Sequence, residues 1–185
     1  TAQSNTRIAP HLPRLASGDW LPAYALTEPG SGSDAAAMRS EARRDGEEYV
    51  LNGSKRFITN AGVAGVYVVF AKTEPAAGHA GISAFIVEAG APGFEVGRIE
   101  PKMGIKGSTT GEVFLADCRV PAENRIGEEG DGFRVAMRVL DRSRPGIAAQ
   151  ALGIAQGATD YALEYAKTRE TMGTPIAEHQ LIAAK

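Results

Sequence analysis

The chain has 185 residues, enough for one domain with a substantial core, or for one domain and part of another. Its 20 basic and 22 acidic side chains give a net charge of −2, which argues against nucleic acid and an anionic membrane as partners. The single cysteine excludes an internal disulfide, and the three histidines lack metal-ligand spacing, so no metal site is expected.

The first half of the chain predicts short strands rich in β-branched and aromatic residues. Two dipeptides, Asp45-Gly46 and Asn52-Gly53, suit two-residue hairpin turns, so this stretch predicts an antiparallel meander. Further strands are predicted at 66–71, 82–87 and 112–116. Their near-continuous apolar character indicates burial on both faces, as in a closed or doubly covered sheet.

After Pro121 the apolar residues recur every three or four positions, which predicts a long helix from Gly132 to Arg169. Pro145 is expected to bend or split this helix. Thr174-Pro175 predicts an N-cap and first position for a last helix over 176–185. That helix ends without a cap, so the sequence reads as truncated. The apolar stripe of the long helix comprises Phe133, Met137, Leu140, Ile147, Ala151, Ile154, Ala158, Tyr161 and Tyr165.

Two segments of the first half are candidate binding elements. The segment from Tyr24 to Asp34 is a short strand that ends in a Gly/Ser-rich turn, and such turns present N–H groups and hydroxyls to anions, commonly phosphate. A plain connecting loop is the alternative. Alternation places Phe57 and Thr59 on one strand face, where they suit either a planar heterocycle or ordinary core packing.

Two further segments lie in the helical half. Asp141 and Arg144 share a helix face, either as a local ion pair or as part of a polar patch that faces a ligand. Arg169 near the end of the long helix is favourable through the helix dipole alone. These residues indicate a β-domain with helices and an anion site, but by themselves they do not identify a reaction.

Taken in order, these motifs resemble the acyl-CoA dehydrogenase family over about residues 11–185. The resemblance rests on five segments, which are the stretch from Leu12 to Gly18, the string Leu-Thr-Glu-Pro-Gly-Ser-Gly-Ser-Asp over 26–34, Phe57-Ile58-Thr59-Asn60, 141–144, and 169–173 with His179-Gln180. It implies an α+β fold: the end of an N-terminal helical domain over 1–22, an antiparallel β-barrel-like middle domain over 23–125, and long helices of an incomplete helical-bundle domain over 126–185.

The resemblance also implies FAD, bound between the β-domain and the C-terminal helices. Thr27 is expected near the pyrimidine side of the ring, Ser33 near the pyrophosphate and the pantetheine arm, and the Thr59 hydroxyl near the flavin N5. The implied cofactor-binding residues are Tyr24, Ala25, Leu26, Thr27, Gly32, Ser33, Phe57, Ile58, Thr59, Arg169, Thr171, His179 and Gln180, of which the last four reach the FAD of a neighbouring subunit. The implied acyl-CoA contacts are Ser33, Asp141, Ser143 and Arg144.

The implied reaction removes the α-proton of an acyl-CoA and transfers the β-hydrogen to FAD as hydride, forming a trans-2-enoyl-CoA. Electrons then pass to an electron-transfer flavoprotein or similar acceptor. A homo-oligomer, tetramer or dimer, is expected, and composition hints at a bacterial, cytoplasmic protein. An acyl-CoA oxidase, a related flavin monooxygenase and a non-catalytic binding module remain alternatives.

Three positions depart from the family pattern. Phe57 stands where many members carry Trp, and Glu170 stands where a neutral or basic residue is more usual. Ser143 occupies the position at which one branch of the family carries its catalytic glutamate. No catalytic residue is therefore expected in this chain, and the base is expected beyond Lys185.

Overall fold

A computed structural model describes residues 9–185, so residues 1–8 of the predicted 1–22 segment lie outside the described residues. The chain divides into two compact units, the first ending at Met137 and the second running from Arg138 to Lys185. Within residues 9–185, none of the helices is both long and apolar enough to span a membrane.

In its described part, the first unit has a short helix α1 (Leu12–Ser17) followed by one large sheet. Its strands are β1 (Leu21–Ala25), β2 (Glu41–Asp45), β3 (Glu48–Thr59), β4 (Ala64–Lys72), β5 (Ile82–Glu88), β6 (Phe94–Ile99), β7 (Thr110–Pro121) and β8 (Arg125–Ile126). They are ordered β6-β7-β3-β2-β4-β5-β8, and β1 lies parallel along β4. The α+β class is confirmed, but the sheet is mixed and is not closed, so the barrel-like shape is not.

The centre of the sheet is apolar on both faces, as the runs at 66–71 and 82–87 predict. Strands β4 and β5 pair from Val66 to Lys72, and side chains on alternating positions enter two different core clusters. Tyr67 and Phe85 lie in the first cluster and Phe70 in the second, all fully buried. Each such side chain contributes roughly 1.5–3 kcal/mol relative to exposure, so the double coverage stabilises this unit substantially.

One of the two predicted turns is confirmed and the other is wrong. A hairpin joins β2 to β3 at Gly46, whose φ is 63°. Asn52-Gly53 is not a turn, because β3 continues through both residues. Gly53 lies at a register shift against β7 with φ 149°, and a Cβ there would lie 2.2 Å from the Ser40 Oγ. Close packing, and not chain reversal, therefore requires the glycine.

The predicted long helix is confirmed as α2 (Gly132–Thr168), and Pro145 lies inside it without ending it. Its first turns belong to the first unit, where Phe133, Ala136 and Met137 pack on the second core cluster. From Arg138 onward the helix belongs to the second unit.

The segment after α2 corrects the prediction of an N-cap at Thr174-Pro175. Those two residues form the strand β10 (Thr174–Pro175), which pairs with β9 (Glu170–Thr171) in a small antiparallel hairpin. The hairpin turns at Met172 and Gly173, with φ of 53° and 74°. A 3₁₀ turn and the four-residue helix α3 (Gln180–Ala183) follow, in place of one helix over 176–185.

Candidate functional site

A β-bulge in β3 sets the orientation of Phe57. Strand β3 pairs with β7 at Lys55↔Val113 and again at Ile58↔Gly111, so Arg56 and Phe57 together face a single residue of β7. Phe57 adopts φ 57°, a region that bulky residues rarely enter, and its side chain is 58% exposed. Bulges commonly re-aim side chains beside functional sites, and this one presents an aromatic ring to solvent.

The Gly/Ser turn lies directly beside this bulge. The Arg56 amide, free of the ladder to β7, donates to the Thr27 carbonyl at 2.8 Å. Glu28 and Ser31 exchange two backbone hydrogen bonds of 2.9 and 3.1 Å, which close the turn, while Gly32 and Ser33 are exposed. The structure therefore brings the Thr27 turn and the Phe57 edge together.

A buried ion pair that the sequence did not predict underlies both elements. The Lys55 ammonium lies 2.8 Å from the Glu28 carboxylate, and the two side chains are 0% and 6% exposed. Lys55 also donates to the Leu26 carbonyl at 3.3 Å. Glu28 accepts the backbone N–H groups of Arg39 and Ser40 at 2.6 and 3.0 Å. Lys55 lies between Ser54 and Arg56 in a strand, and nothing in that local sequence indicated that it would be buried.

The electrostatics of this pair follow from burial and from the donors around the carboxylate. Burial alone would raise the pKa of Glu28, but the charge of Lys55 and the hydrogen bonds from Lys55, Ser40 and Arg39 outweigh it and lower that pKa. Burial lowers the pKa of Lys55, and the Glu28 carboxylate offsets part of this effect. We conclude that the Glu28 carboxylate is ionised at neutral pH, because it has three donors.

A charged group also lies against the exposed Phe57 ring. The Arg56 guanidinium lies 5.0 Å from the ring centroid, within the range of a cation–π contact. Arg56 is held by Glu100 at 3.8 Å and by Glu112 at 3.7 Å. As alternation predicts, Thr59 is exposed with Phe57, while the side chain between them is buried.

Several predicted cofactor residues of the first unit do not expose their side chains. Ala25, Leu26 and Ile58 are 0%, 8% and 1% exposed, so only their backbone groups are available to a ligand. Tyr24 packs edge-on against Phe70 at 5.0 Å, and burial raises the pKa of Tyr24 to about 12. Its hydroxyl is buried without a hydrogen-bond partner among residues 9–185.

The predicted substrate residues of the second unit form local contacts. Asp141 and Arg144 lie 3.8 Å apart in a highly exposed ion pair, and the Ser143 hydroxyl donates to the Leu140 carbonyl at 3.2 Å. These contacts match the simpler of the two interpretations of this segment, and they leave both charged side chains accessible.

The remaining predicted cofactor residues lie in the small hairpin of the second unit or close to it in sequence. Arg169, Thr171 and Gln180 have exposed side chains. His179 differs, since its Nε2 atom is buried without a hydrogen-bond partner in the described part of the chain. No cluster of three or more metal-binding side chains occurs within residues 9–185.

Comparisons with known proteins place this geometry in a family. Residues 23–118 match the family model described as acyl-CoA dehydrogenase, middle domain, and residues 130–185 match the model described as acyl-CoA dehydrogenase, C-terminal domain.

Two curated relatives are each 54% identical to the chain. Over 175 residues it matches an acyl-CoA dehydrogenase of Bacillus subtilis strain 168, covering 95% of this chain and 46% of that protein. Over 172 residues it matches an acryloyl-CoA reductase (NADH) of Anaerotignum propionicum, covering 92% of this chain and 44% of that protein.

Among solved structures, the butyryl-CoA dehydrogenase of Megasphaera elsdenii superposes with a TM-score of 0.88 at 49% identity, covering 92% of this chain and 45% of that one. The chain thus spans about half the length of the relatives it matches. It belongs to the acyl-CoA dehydrogenase family.

Proposed function

We propose that this chain is part of a flavin-dependent acyl-CoA dehydrogenase that converts an acyl-CoA thioester to a trans-2-enoyl-CoA. The observation that carries the proposal is the hydrogen bond between the Arg56 amide and the Thr27 carbonyl. It holds a Gly/Ser turn beside an exposed aromatic ring. An aromatic ring next to turn N–H groups and hydroxyls suits a flat, phosphate-bearing molecule.

The residues present fit FAD in each unit separately. In the first unit, Phe57 offers an exposed stacking surface, and Thr59 and Ser33 offer exposed hydroxyl groups. In the second unit, the buried Nε2 of His179 lacks a partner, and a ligand polar group would remove the cost of leaving it unpaired. Gln180, the next residue, and Arg169, just after the end of α2, add exposed donors.

Each side chain has a defined role on this proposal. Bound FAD would supply the acceptor for the hydride that leaves the β-carbon. Phe57 stacks on the ring and excludes water from it, while Thr27 and Thr59 orient its polar edge. The α-proton needs a carboxylate base, which Ser143 does not provide, so we assign that base to a part of the protein outside residues 141–144.

Partners follow from the same proposal. Arg144 and Asp141, which remain accessible, are assigned to the acyl-CoA, and an acceptor flavoprotein removes the electrons. Arg169, Thr171, His179 and Gln180 are assigned to the FAD of a neighbouring subunit, which requires a homodimer or homotetramer.

Reduction of a short 2-enoyl-CoA is a second candidate, because the relative named acryloyl-CoA reductase is as similar as the one named dehydrogenase. Dehydrogenation of an acyl-CoA and reduction of a 2-enoyl-CoA would use the same site. Measuring turnover of a saturated and an unsaturated thioester by the complete protein, with an artificial electron acceptor or with NADH, separates them. Oxygen consumption in the same assay would instead identify an oxidase.

The binding step can be tested on the chain itself by titrating FAD and following the quenching of its fluorescence. We expect weak binding that falls about 2- to 10-fold in Phe57→Ala, since an aromatic pair contributes roughly 0.5–1.5 kcal/mol. Phe57→Trp should bind at least as tightly. Phe114→Ala, which removes another partly exposed ring of the sheet, is the matched control and should leave affinity unchanged. Equal affinities for wild type and Phe57→Ala would contradict the assignment.

A further inference from the structure

We propose that the buried Glu28–Lys55 ion pair positions the two parts of the proposed flavin site, the Thr27 turn and the Phe57 bulge. It does so by setting the spacing between them. The proposal rests on the proposed function for its ligand. Neither residue contacts the cofactor on this view, and both act through the backbone that they hold.

The contacts join two consecutive residues of β3 to three consecutive residues of the turn. Lys55 binds the Leu26 carbonyl and the Glu28 carboxylate, and the Arg56 amide binds the Thr27 carbonyl between them. The Arg56 amide is available for this link because it lies in the bulge, outside the ladder to β7. Lys55 therefore fixes both sides of the hydrogen bond that brings turn and ring together.

Glu28 closes the other end of the same loop. Its carboxylate accepts the amides of Arg39 and Ser40, and the Ser40 carbonyl accepts the amide of Lys72 on β4. One side chain thus connects the entry of the loop, its exit and the centre of the sheet. Gly32 and Ser33, the exposed part of the turn, lie between the two ends of the loop that these hydrogen bonds hold.

Stability alone does not explain a charged pair at this place. Burying two ions costs several kcal/mol of desolvation each, and well-packed apolar residues of similar volume are often as stable or more stable. An apolar pair would fill the same space, but it would leave the amides of Arg39 and Ser40 and the Leu26 carbonyl without these partners. Geometric specificity is the property that the ion pair adds.

The test compares Lys55→Met, Glu28→Gln and the double variant with wild type and with Lys106→Met, an exposed lysine on a loop of the same unit. Three quantities are measured on each protein: the denaturation midpoint, the hydrogen-exchange protection of the Arg56 amide without ligand, and the affinity for FAD. Flavin absorption at saturation supplies a spectroscopic signature of the ring environment.

We expect Lys55→Met to lower the midpoint most, because it leaves a buried carboxylate unpaired. The double variant should recover much of the midpoint. Its Arg56 protection and its FAD affinity should nevertheless stay at least about tenfold below wild type, the size expected for losing a hydrogen bond to a charged group. The control should match wild type in all three measurements.

Recovery of FAD affinity together with the midpoint in the double variant would assign the pair a purely structural role and overturn the proposal. Unfolding of all three variants would do the same. If wild type binds no FAD, the proposed function fails, and the exchange of the Arg56 amide alone decides whether the pair positions the turn.

Discussion

The two units use apolar residues in opposite ways. In β5 every side chain from Ile82 to Val87 is buried, between two core clusters. In the second unit, Ala166 is the only buried hydrophobic residue among those described, and Ile154 and Tyr161 of the apolar stripe are 67% and 76% exposed. Hydrophobic periodicity therefore identifies which face of a helix is apolar, whereas burial depends on what else packs there.

The largest effect should come from matched isoleucine truncations in the two units. Ile82→Ala in β5, where the side chain is 0% exposed, should lower the free energy of unfolding by about 2–5 kcal/mol because it opens a cavity. Ile154→Ala removes the same atoms from an exposed position and should change it by less than about 0.5 kcal/mol. Denaturant unfolding measures both, and equal losses would contradict the contrast between the units.

Glycine replacements should have opposite signs in the two units. A Cβ on Gly132, at the start of α2, would lie 2.6 Å from the Ser83 carbonyl carbon and 2.8 Å from the Ile82 oxygen. Since both are backbone atoms of β5, Gly132→Ala should destabilise by about 1–3 kcal/mol. A methyl group added at Gly153 would have nothing within 4 Å, so Gly153→Ala should stabilise by about 0.5–1 kcal/mol. Thermal unfolding measures both changes in stability. An increase in stability for Gly132→Ala would contradict the close approach of Gly132 to the β5 backbone.

The smallest effect should be a loss of stability in acid, which is absent at neutral pH and differs between the two units. Because the pKa of Glu28 in the fold lies below its ordinary 4.5, its contribution is fully present above that value and is lost as pH falls through the lower folded pKa. Wild type should thus lose stability below about pH 4.5 more steeply than Glu28→Gln does.

The matched control for this pH dependence is Glu164→Gln in the second unit. Glu164 forms an exposed ion pair with Lys167 at 2.7 Å, and exposed pairs contribute little. Urea unfolding from pH 7 to 3 should therefore show the Glu164→Gln curve parallel to that of wild type. A Glu28→Gln curve that is also parallel would show that the buried carboxylate is not linked to stability.

The strands and the long helix followed from the sequence because their signals are local. Runs of β-branched residues predicted β4 and β5, and a period of three to four residues predicted α2 to within one residue of its end. Asn52-Gly53 misled because the same dipeptide serves a hairpin turn and a bulge, and only the approach of Ser40 distinguishes them. Thr174-Pro175 misled in the same manner, since a proline after threonine suits either a helix start or a short strand.

The exposed residues of the candidate site could be predicted from the sequence, but the buried ion pair beneath them could not. Motif order identified Thr27, Phe57 and Thr59, which the structure places along neighbouring segments. The link between Glu28 and Lys55 spans 27 positions and depends on the register of β3, which no local pattern encodes. Long-range pairs of this kind become visible only when the sheet is assembled.

The bulge at Arg56 and Phe57 has a consequence for how this protein can vary. The side chain at position 57 stands outside the ladder, while pairing resumes normally on both sides of it. Aromatic groups of different size can therefore be exchanged there by point substitution without changing strand register. Removal of a single residue from the bulge would instead restore regular pairing of β3 with β7, with Ile58 still opposite Gly111, and would abolish the extra position that presents the aromatic ring.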